Sequence, residues 1–432
     1  MRGGRQLASS RHARGSSASV IRMRFQFIHA ADLHIDSPLA SLGLKDPAVA
    51  ARFARANRSA VEALARETIA SEAKFLIVAG DIFDGDWRDA AIALFFNRQI
   101  ARLTKEGVPI FLLKGNHDAD SVVTKSLALP DLARQFSTAR AESFELPELR
   151  VALHGRGFSH RAEQDNLAIA LPPAKEGWFN IGVLHSSLDG RPGHASYAPC
   201  SLDDLRAKNY SYWALGHVHA HEVVAQNPWI VFPGNLQGRN IRETGAKGAV
   251  LVDVANGEVA RLRRLVVDRA RFADITLDAA AHDDTASLLR AVEAAAGAEA
   301  DRAEGRLLAL RVRVSGASPL HAQFAADPPR WRDEIEAAAQ RAHEDIVLER
   351  FILETEAPVA APRLDSDFDF AALLDEALAD PELRRSAVAA LAAVEARTPP
   401  GGSEPRLSDE LDALLREARD LALARAERGG AA

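Results

Sequence analysis

From residue 25 to about residue 270 the chain alternates short, largely apolar runs with longer segments whose apolar positions recur at helical spacing. That rhythm is the signature of an α/β domain. Residues 25–29, 75–79, 110–113, 151–154, 181–184 and 212–215 read as buried strands. Helices fit at 48–71 and 89–106, the second closed by Gly107 and Pro109. Asn256-Gly257 lies between two apolar runs and predicts a tight hairpin turn.

The pattern then changes. Residues 271–356 predict a compact βαβαβ module, with strands at 274–277, 307–314 and 346–351 and helices at 285–296 and 331–343. A Pro/Ala-rich stretch at 357–363 reads as a linker into an acidic, helix-prone tail broken again between Pro399 and Pro405. In the last helix Leu407, Leu411, Leu414, Ala418 and Leu421 give one apolar face, suited either to folding back on the chain or to a partner. The expected division is a tail at 1–24, a catalytic domain at 25–270, a capping module at 271–356 and a linker with helical tail at 357–432.

Composition narrows the class. No apolar run approaches the roughly 20 residues of a membrane span. Cys200 is the only cysteine, which excludes an internal disulfide and a thiolate metal site and fits a reducing, cytoplasmic setting. A net charge of -7 argues against a surface coated in phosphate-binding cations, so any polyanionic substrate has to be argued from a local site. Residues 1–24 hold six Arg and no acid, with no apolar stretch of the kind a secretory signal needs; translation is expected to begin at Met23.

Five clusters carry the candidate chemistry: Asp32-Leu33-His34, Gly80-Asp81-Ile82-Phe83-Asp84, Gly115-Asn116-His117-Asp118, His185, and Gly216-His217-Val218-His219. Four directly follow a strand-like run and the first sits just past one. In open sheets the carboxyl ends of strands are where ligands bind. Asp32 with His34, and His217 with His219, are spaced i and i+2, which puts both side chains on one side of extended backbone. The glycines at 80, 115 and 216 are expected to permit tight turns. Imidazole nitrogens and hard oxygens without thiolate suit Mn, Fe, Zn, Co or Mg. Any one motif alone is a turn or a surface residue; the five in order predict a binuclear metal site.

This order, Asp-x-His, Gly-Asp-x-x-Asp, Gly-Asn-His-Asp, His, Gly-His-x-His, resembles the calcineurin-like metallophosphoesterase superfamily. The phrases at 27–34 and 232–239, with Arg242-Glu243-Thr244-Gly245 and Lys247-Gly248 after them, are similar to its DNA repair exonuclease branch, SbcD-like proteins and, more closely, YhaO-like ones. The resemblance implies a β-sandwich core flanked by helices, to which the small α/β cap and the helical tail read above are appended. It implies that Asp32, His34 and His219 hold one divalent ion, that Asn116, His185 and His217 hold another, and that Asp81 bridges them, manganese being the favoured metal. Two such ions clamp a phosphoryl group about 3.5–4 Å apart. His117 then serves the transition state and protonates the leaving oxygen, with Asp84 orienting it; some relatives carry a second His where Asp84 stands. Arg239 and Arg242 are candidate phosphate contacts, with a structural salt bridge as the equal alternative. His29, His154, His160, His194 and His221 read as structural, although His194 and His221 could approach substrate phosphate.

The leading expectation is a metal-dependent nuclease or phosphodiesterase that acts on DNA with a coiled-coil ATPase partner docked on the C-terminal helices, with room for a homodimer. The alternatives are a small-molecule phosphodiesterase or phosphoprotein phosphatase using the same donors, and a non-enzymatic scaffold. Against the scaffold, all seven ligand positions and His117 are filled.

Overall fold

The computed structural model describes residues 24–37, 47–84, 90–119, 129–190, 197–358, 370–395 and 410–429. The expectations for the Arg-rich start, His194, most of the linker and the break at Pro399 to Pro405 lie outside them. The chain divides into two compact units. The first takes its described residues from 1–32, 65–234 and 249–265, the second from 33–64, 235–248 and 266–432.

The first unit is a sandwich of two six-stranded sheets. Its strands are β1 (Arg24–Ala30), β2 (Leu76–Ala79), β3 (Ile110–Leu113), β4 (Ala133–Gln135), β5 (Glu142–Leu146), β6 (Val151–Gly155), β7 (Phe179–His185), β8 (Tyr212–Gly216), β9 (Glu222–Gln226), β10 (Trp229–Phe232), β11 (Gly248–Ala255) and β12 (Glu258–Val266). One sheet runs β12-β11-β1-β2-β3-β4 and the other β5-β6-β7-β8-β10-β9. Strands β1 to β4 are parallel, as are β6, β7, β8 and β10, and every residue of β2, β3, β6, β7 and β8 is buried. Parallel strands covered on both faces need such unbroken apolar runs.

Aromatic rings fill the space between the sheets. Phe27 stacks on Phe75 at 4.9 Å and meets Tyr212 of the facing sheet edge-on at 5.3 Å, while Phe25 meets Phe179 at 5.9 Å. Each buried ring contributes roughly 1.5–3 kcal/mol of burial. The hairpin between β11 and β12 turns at Asn256 and Gly257 with φ of 57° and 82°, the left-handed pair that a two-residue turn requires. Helix α1 (Pro47–Ala70) is shared between the units, residues 65–70 belonging to the first; α2 (Ala90–Lys105), the single turn α3 (Asn116–Ala119) and α4 (Leu202–Arg206) lie wholly in the first.

In the second unit β13 (Ala270–Asp278), β14 (Leu307–Ala317) and β15 (Ile346–Glu356) form an all-parallel sheet in that order. Helix α5 (Thr285–Ala303) starts where Asp284 accepts from Ser287 N at 2.6 Å. After the short α6 (His321–Ala326), Asp327 caps α7 (Pro328–Ala342) in the same way. Leu288, Val292 and Ala296 of α5, and Trp331, Ile335 and Ala338 of α7, repeat at three to four residues and bury one face of each helix in a core with Val312 and Val314. Phe53 of α1 packs on Phe272 at 5.4 Å. The tail forms α8 (Phe370–Ala379), α9 (Pro381–Glu395) and α10 (Leu411–Gly429). Helix α10 packs on α6, with Asp420 Oδ2 3.3 Å from His321 Nε2.

Candidate metal centre

The chemistry-bearing residues of the first unit gather at the carboxyl ends of both sheets. Asp32 lies two residues past β1, Asp81 two past β2 and Asn116 three past β3, while His185 ends β7 and His217 follows β8. Asp32, Asp81 and His185 are buried and each brings a ligand atom within 4.8 Å of the other two. Asp32 accepts from His217 N at 3.1 Å, and His219 Nε2 stands 3.9 Å from its Oδ1. The rings of His185 and His217 meet edge-on at 5.2 Å. His34 belongs to the second unit by packing. Chain connectivity keeps its Cα within about 7 Å of that of Asp32, and it is fully buried.

Backbone geometry at these positions is unusual. Asp32, His34, Asp81 and His217 have φ of 52°, 41°, 49° and 100°, a region that side chains other than glycine rarely adopt. Such conformations cost of order 1–3 kcal/mol each and persist where the surrounding structure holds them. The three glycines differ from expectation. Only Gly80, with φ 95°, needs its conformational freedom. Gly115 and Gly216 are required for space: a Cβ would come within 2.2 Å of Asp81 Oδ1 at the first and 1.9 Å of Ala79 O at the second.

The donor set fits divalent metal on one observation. His185 Nδ1 donates to Ala79 O at 2.9 Å, which leaves a lone pair on Nε2. That nitrogen faces two oxygens, Asn116 Oδ1 at 3.0 Å and Asp81 Oδ2 at 3.3 Å. Three electron-pair donors converging in a buried space require a proton or a cation among them. Without metal, burial opposes the charged ring but the charge and hydrogen bond of Asp81 prevail and push His185 up to about 9. Burial likewise raises Asp32, against the pull of His185 and His219.

His117 stands at the edge of this group with 24% of its side chain exposed, its Nδ1 2.7 Å from Asp84 Oδ1 and its backbone N donating to Asp81 Oδ1 at 2.9 Å. Burial alone would depress its pKa; the Asp84 hydrogen bond and the Asp81 charge raise it above the ordinary value instead.

Residues 25–221 match the calcineurin-like phosphoesterase family, and residues 272–356 match the middle domain of the metallophosphoesterase YhaO. Residues 25–221 are a calcineurin-like phosphoesterase domain. Over 238 residues the chain is 36% identical to an uncharacterized metallophosphoesterase YhaO of Bacillus subtilis, which covers 54% of this chain and 58% of that protein. Over 271 residues it is 25% identical to the DNA double-strand break repair protein Mre11 of Sulfurisphaera tokodaii, covering 59% and 65%. The aligned part thus spans less than two thirds of either relative. A dimetal phosphatase from Danio rerio is similar over 53% of this chain and 92% of its own, at 13% identity and a TM-score of 0.34.

Other residues of the phosphoesterase domain hold the donors in place. Asp118, fully buried, accepts from Ile82 N, Phe83 N and Gly115 N at 3.0–3.1 Å and so ties the loop after β2 to the loop after β3. Burial and the nearby Asp81 push it up to about 6 despite these donors. Sequence reasoning placed Asp118 inside a motif without a role; the hint was a carboxylate beside two ligand-type residues. Tyr197, with no preceding pattern to mark it, meets the His217 ring at 5.7 Å.

The described histidines that read as structural have partners. His29 is fixed by Tyr212 Oη at 3.0 Å and Leu215 O at 3.1 Å, His154 by Ser143 and Asn180, and His221 by Phe232 O, while His160 lies beside Ser159 and Glu163. Arg239 and Arg242 belong to the second unit. Arg239 pairs with the Glu243 carboxylate at 3.1 Å, which also accepts from Asn235 Nδ2 at 2.7 Å. Gln237 bridges to Ala270 O at 2.6 Å and Arg269 N at 2.9 Å. The phrase 235–239 is therefore a clasp on the start of β13. Arg242 is exposed, its backbone N held by Asn240.

Proposed function

We propose that this protein is a two-metal phosphodiesterase that cuts DNA. The observation that carries the hydrolytic part is the His117–Asp84 pair at 2.7 Å beside the Asp32, Asp81 and His185 donors. It unites a backed proton donor with a buried anionic cluster, the two components that phosphodiester cleavage needs. The likeness to Mre11 supports DNA as the substrate.

In this reading Asp32, His34 and His219 would hold one ion, Asn116, His185 and His217 the other, with Asp81 shared. The thiolate-free set of carboxylate, amide and imidazole donors suits manganese. When bound, the ions supply Lewis acidity and acidify water. His117, held at Nδ1 by Asp84, passes a proton from Nε2 to the departing oxygen. His185 is locked by Ala79 O in the tautomer that points Nε2 inward.

A cytoplasmic setting and a coiled-coil ATPase partner complete the proposal. No helix among the described residues is long and apolar enough to cross a membrane. Helices α8 and α9 bury none of their described side chains, and Phe370, Leu373, Leu383 and Val388 are 38–47% exposed, which supports this part of the tail as the partner surface. Co-purification from native cells that returns no ATPase counts against that part.

The test of the activity is hydrolysis by metal-stripped protein resupplied with Mn, Mg or Zn, on single- and double-stranded DNA beside bis-p-nitrophenyl phosphate. Metal-dependent DNA cleavage that disappears in His117→Ala supports the proposal. Cleavage of the small ester alone rejects DNA, and no cleavage with any metal rejects the enzyme reading.

A further inference from the structure

One loop of the phosphoesterase domain presents a cation that the chemistry above does not use. Residues 157–163 leave β6 and are fastened to the elements that carry the centre. Phe158 N donates to Lys114 O at 3.0 Å, and the Phe158 ring meets the His185 ring edge-on at 5.6 Å. Gly157 passes so close to Lys114 that a Cβ would come within 3.1 Å of Lys114 N. At the far end the Glu163 side chain, 3% exposed, accepts from Ser159 Oγ at 3.1 Å and Asp165 N at 3.3 Å, while its carbonyl takes Ala198 N at 2.8 Å.

Between these anchors Ser159, His160 and Arg161 stand exposed. His160 Nδ1 is engaged by Ser159 Oγ at 2.9 Å. The Arg161 guanidinium makes no ion pair or hydrogen bond with another described residue, while its loop is seated against the His185 ring through Phe158. A cation on a loop braced against the His185 ring and against Lys114, at the start of the loop that carries His117, is placed to meet the departing half of a substrate.

We propose that Arg161 binds a second phosphate of the substrate, on the leaving-group side of the one being cut, and so selects a nucleotide strand over an isolated diester. This rests on the nucleic-acid reading above. A guanidinium suits the role because its planar fork can give two parallel hydrogen bonds to one phosphate.

The experiment compares the parent, Arg161→Gln and Arg161→Lys, each reloaded with Mn, on thymidine dinucleotides with and without an added terminal phosphate at the 5′ or 3′ end. Circular dichroism and metal content establish that the variants are folded and loaded. The parent should prefer one phosphorylated dinucleotide by about tenfold in kcat/KM, the value of one charged hydrogen bond. Arg161→Gln should lose that preference through KM rather than kcat, and Arg161→Lys should regain part of it. A parent that cuts all the dinucleotides equally, or an Arg161→Gln variant that keeps the preference, overturns the role of Arg161 and leaves the nucleic-acid reading standing. A parent that cuts bis-p-nitrophenyl phosphate but no dinucleotide overturns both.

Discussion

The imidazole of His117 and the carboxylate of Asp84 meet at 2.7 Å, Nδ1 to Oδ1, so the ring cannot turn without breaking a charge-assisted hydrogen bond. If that contact aims the ring, the two residues should differ in how much they matter. His117→Ala should lower kcat by about 10²–10⁴-fold, the usual worth of a positioned acid. Asp84→Asn keeps the acid and loosens it, so a smaller loss of about 10–100-fold is expected. Steady-state rates on one diester decide it, and an Asp84→Asn enzyme as fast as the parent removes the orienting role.

Metal content separates holding from acting. Asp32 lies inside the donor cluster and also fastens His217 N through both its oxygens. Asp32→Ala should therefore weaken metal binding at least about tenfold. His117→Ala should retain the parent's metal while losing turnover. Elemental analysis after dialysis against trace metal reads both, and equal metal loss in the two variants contradicts the assigned roles.

Gly216 has no room for a methyl group. Its Cβ would stand 1.9 Å from the backbone oxygen of Ala79, and that oxygen also receives the His185 ring. Gly216→Ala should cost about 1–3 kcal/mol through overpacking and should displace His185. The expected signs are a lower urea midpoint at unchanged m-value and reduced metal retention. A parent-like midpoint would mean that the two strands separate easily.

His29 sets a pH dependence of stability. Burial holds its pKa down at about 3, opposed by the Leu215 carbonyl, against about 6.5 in an unfolded chain. Between these values the unfolded chain binds the extra proton. Stability from this residue is thus full above pH 6.5 and falls as pH drops toward 3, by at most about 1.4 kcal/mol per pH unit. Urea titrations at pH 7.5 and 5 should show the decline. His29→Gln should start less stable, having lost its bonds to Tyr212 and Leu215, yet decline less steeply; a slope equal to the parent's would falsify the assignment.

Much of this was legible in the sequence because the relevant strands are buried on both faces. Strands β3 and β8 stand out as unbroken apolar runs, and the ligand-type residues follow them directly. Strands β5 and β9 did not stand out. Each is an outer strand of its sheet with no buried residue, and Glu142, Glu145 and Glu222 interrupt its apolar pattern. Within the site, residue type and spacing were sufficient to nominate His185 and Asp81. They were not sufficient for Asp118, whose role depends on three amides from two loops, or for Arg161, whose loop is positioned by Phe158 and Glu163 far from any motif. The clasp made by Gln237 was equally hidden: an amide in a loop carries no periodicity, and its partners at Arg269 and Ala270 become visible only once β13 is in place, while Glu243 closes on Asn235 and Arg239 within the loop itself.

Asp118 gives the centre a common reference point. Its one carboxylate receives amides from the loop of Asp81 and from the loop of Asn116 and His117. Displacement of either loop is thereby passed to the other, so Asp81 and His117 move in step. The distance between them, on which the proposed in-line displacement would depend, is insulated from fluctuations that each loop would otherwise make alone.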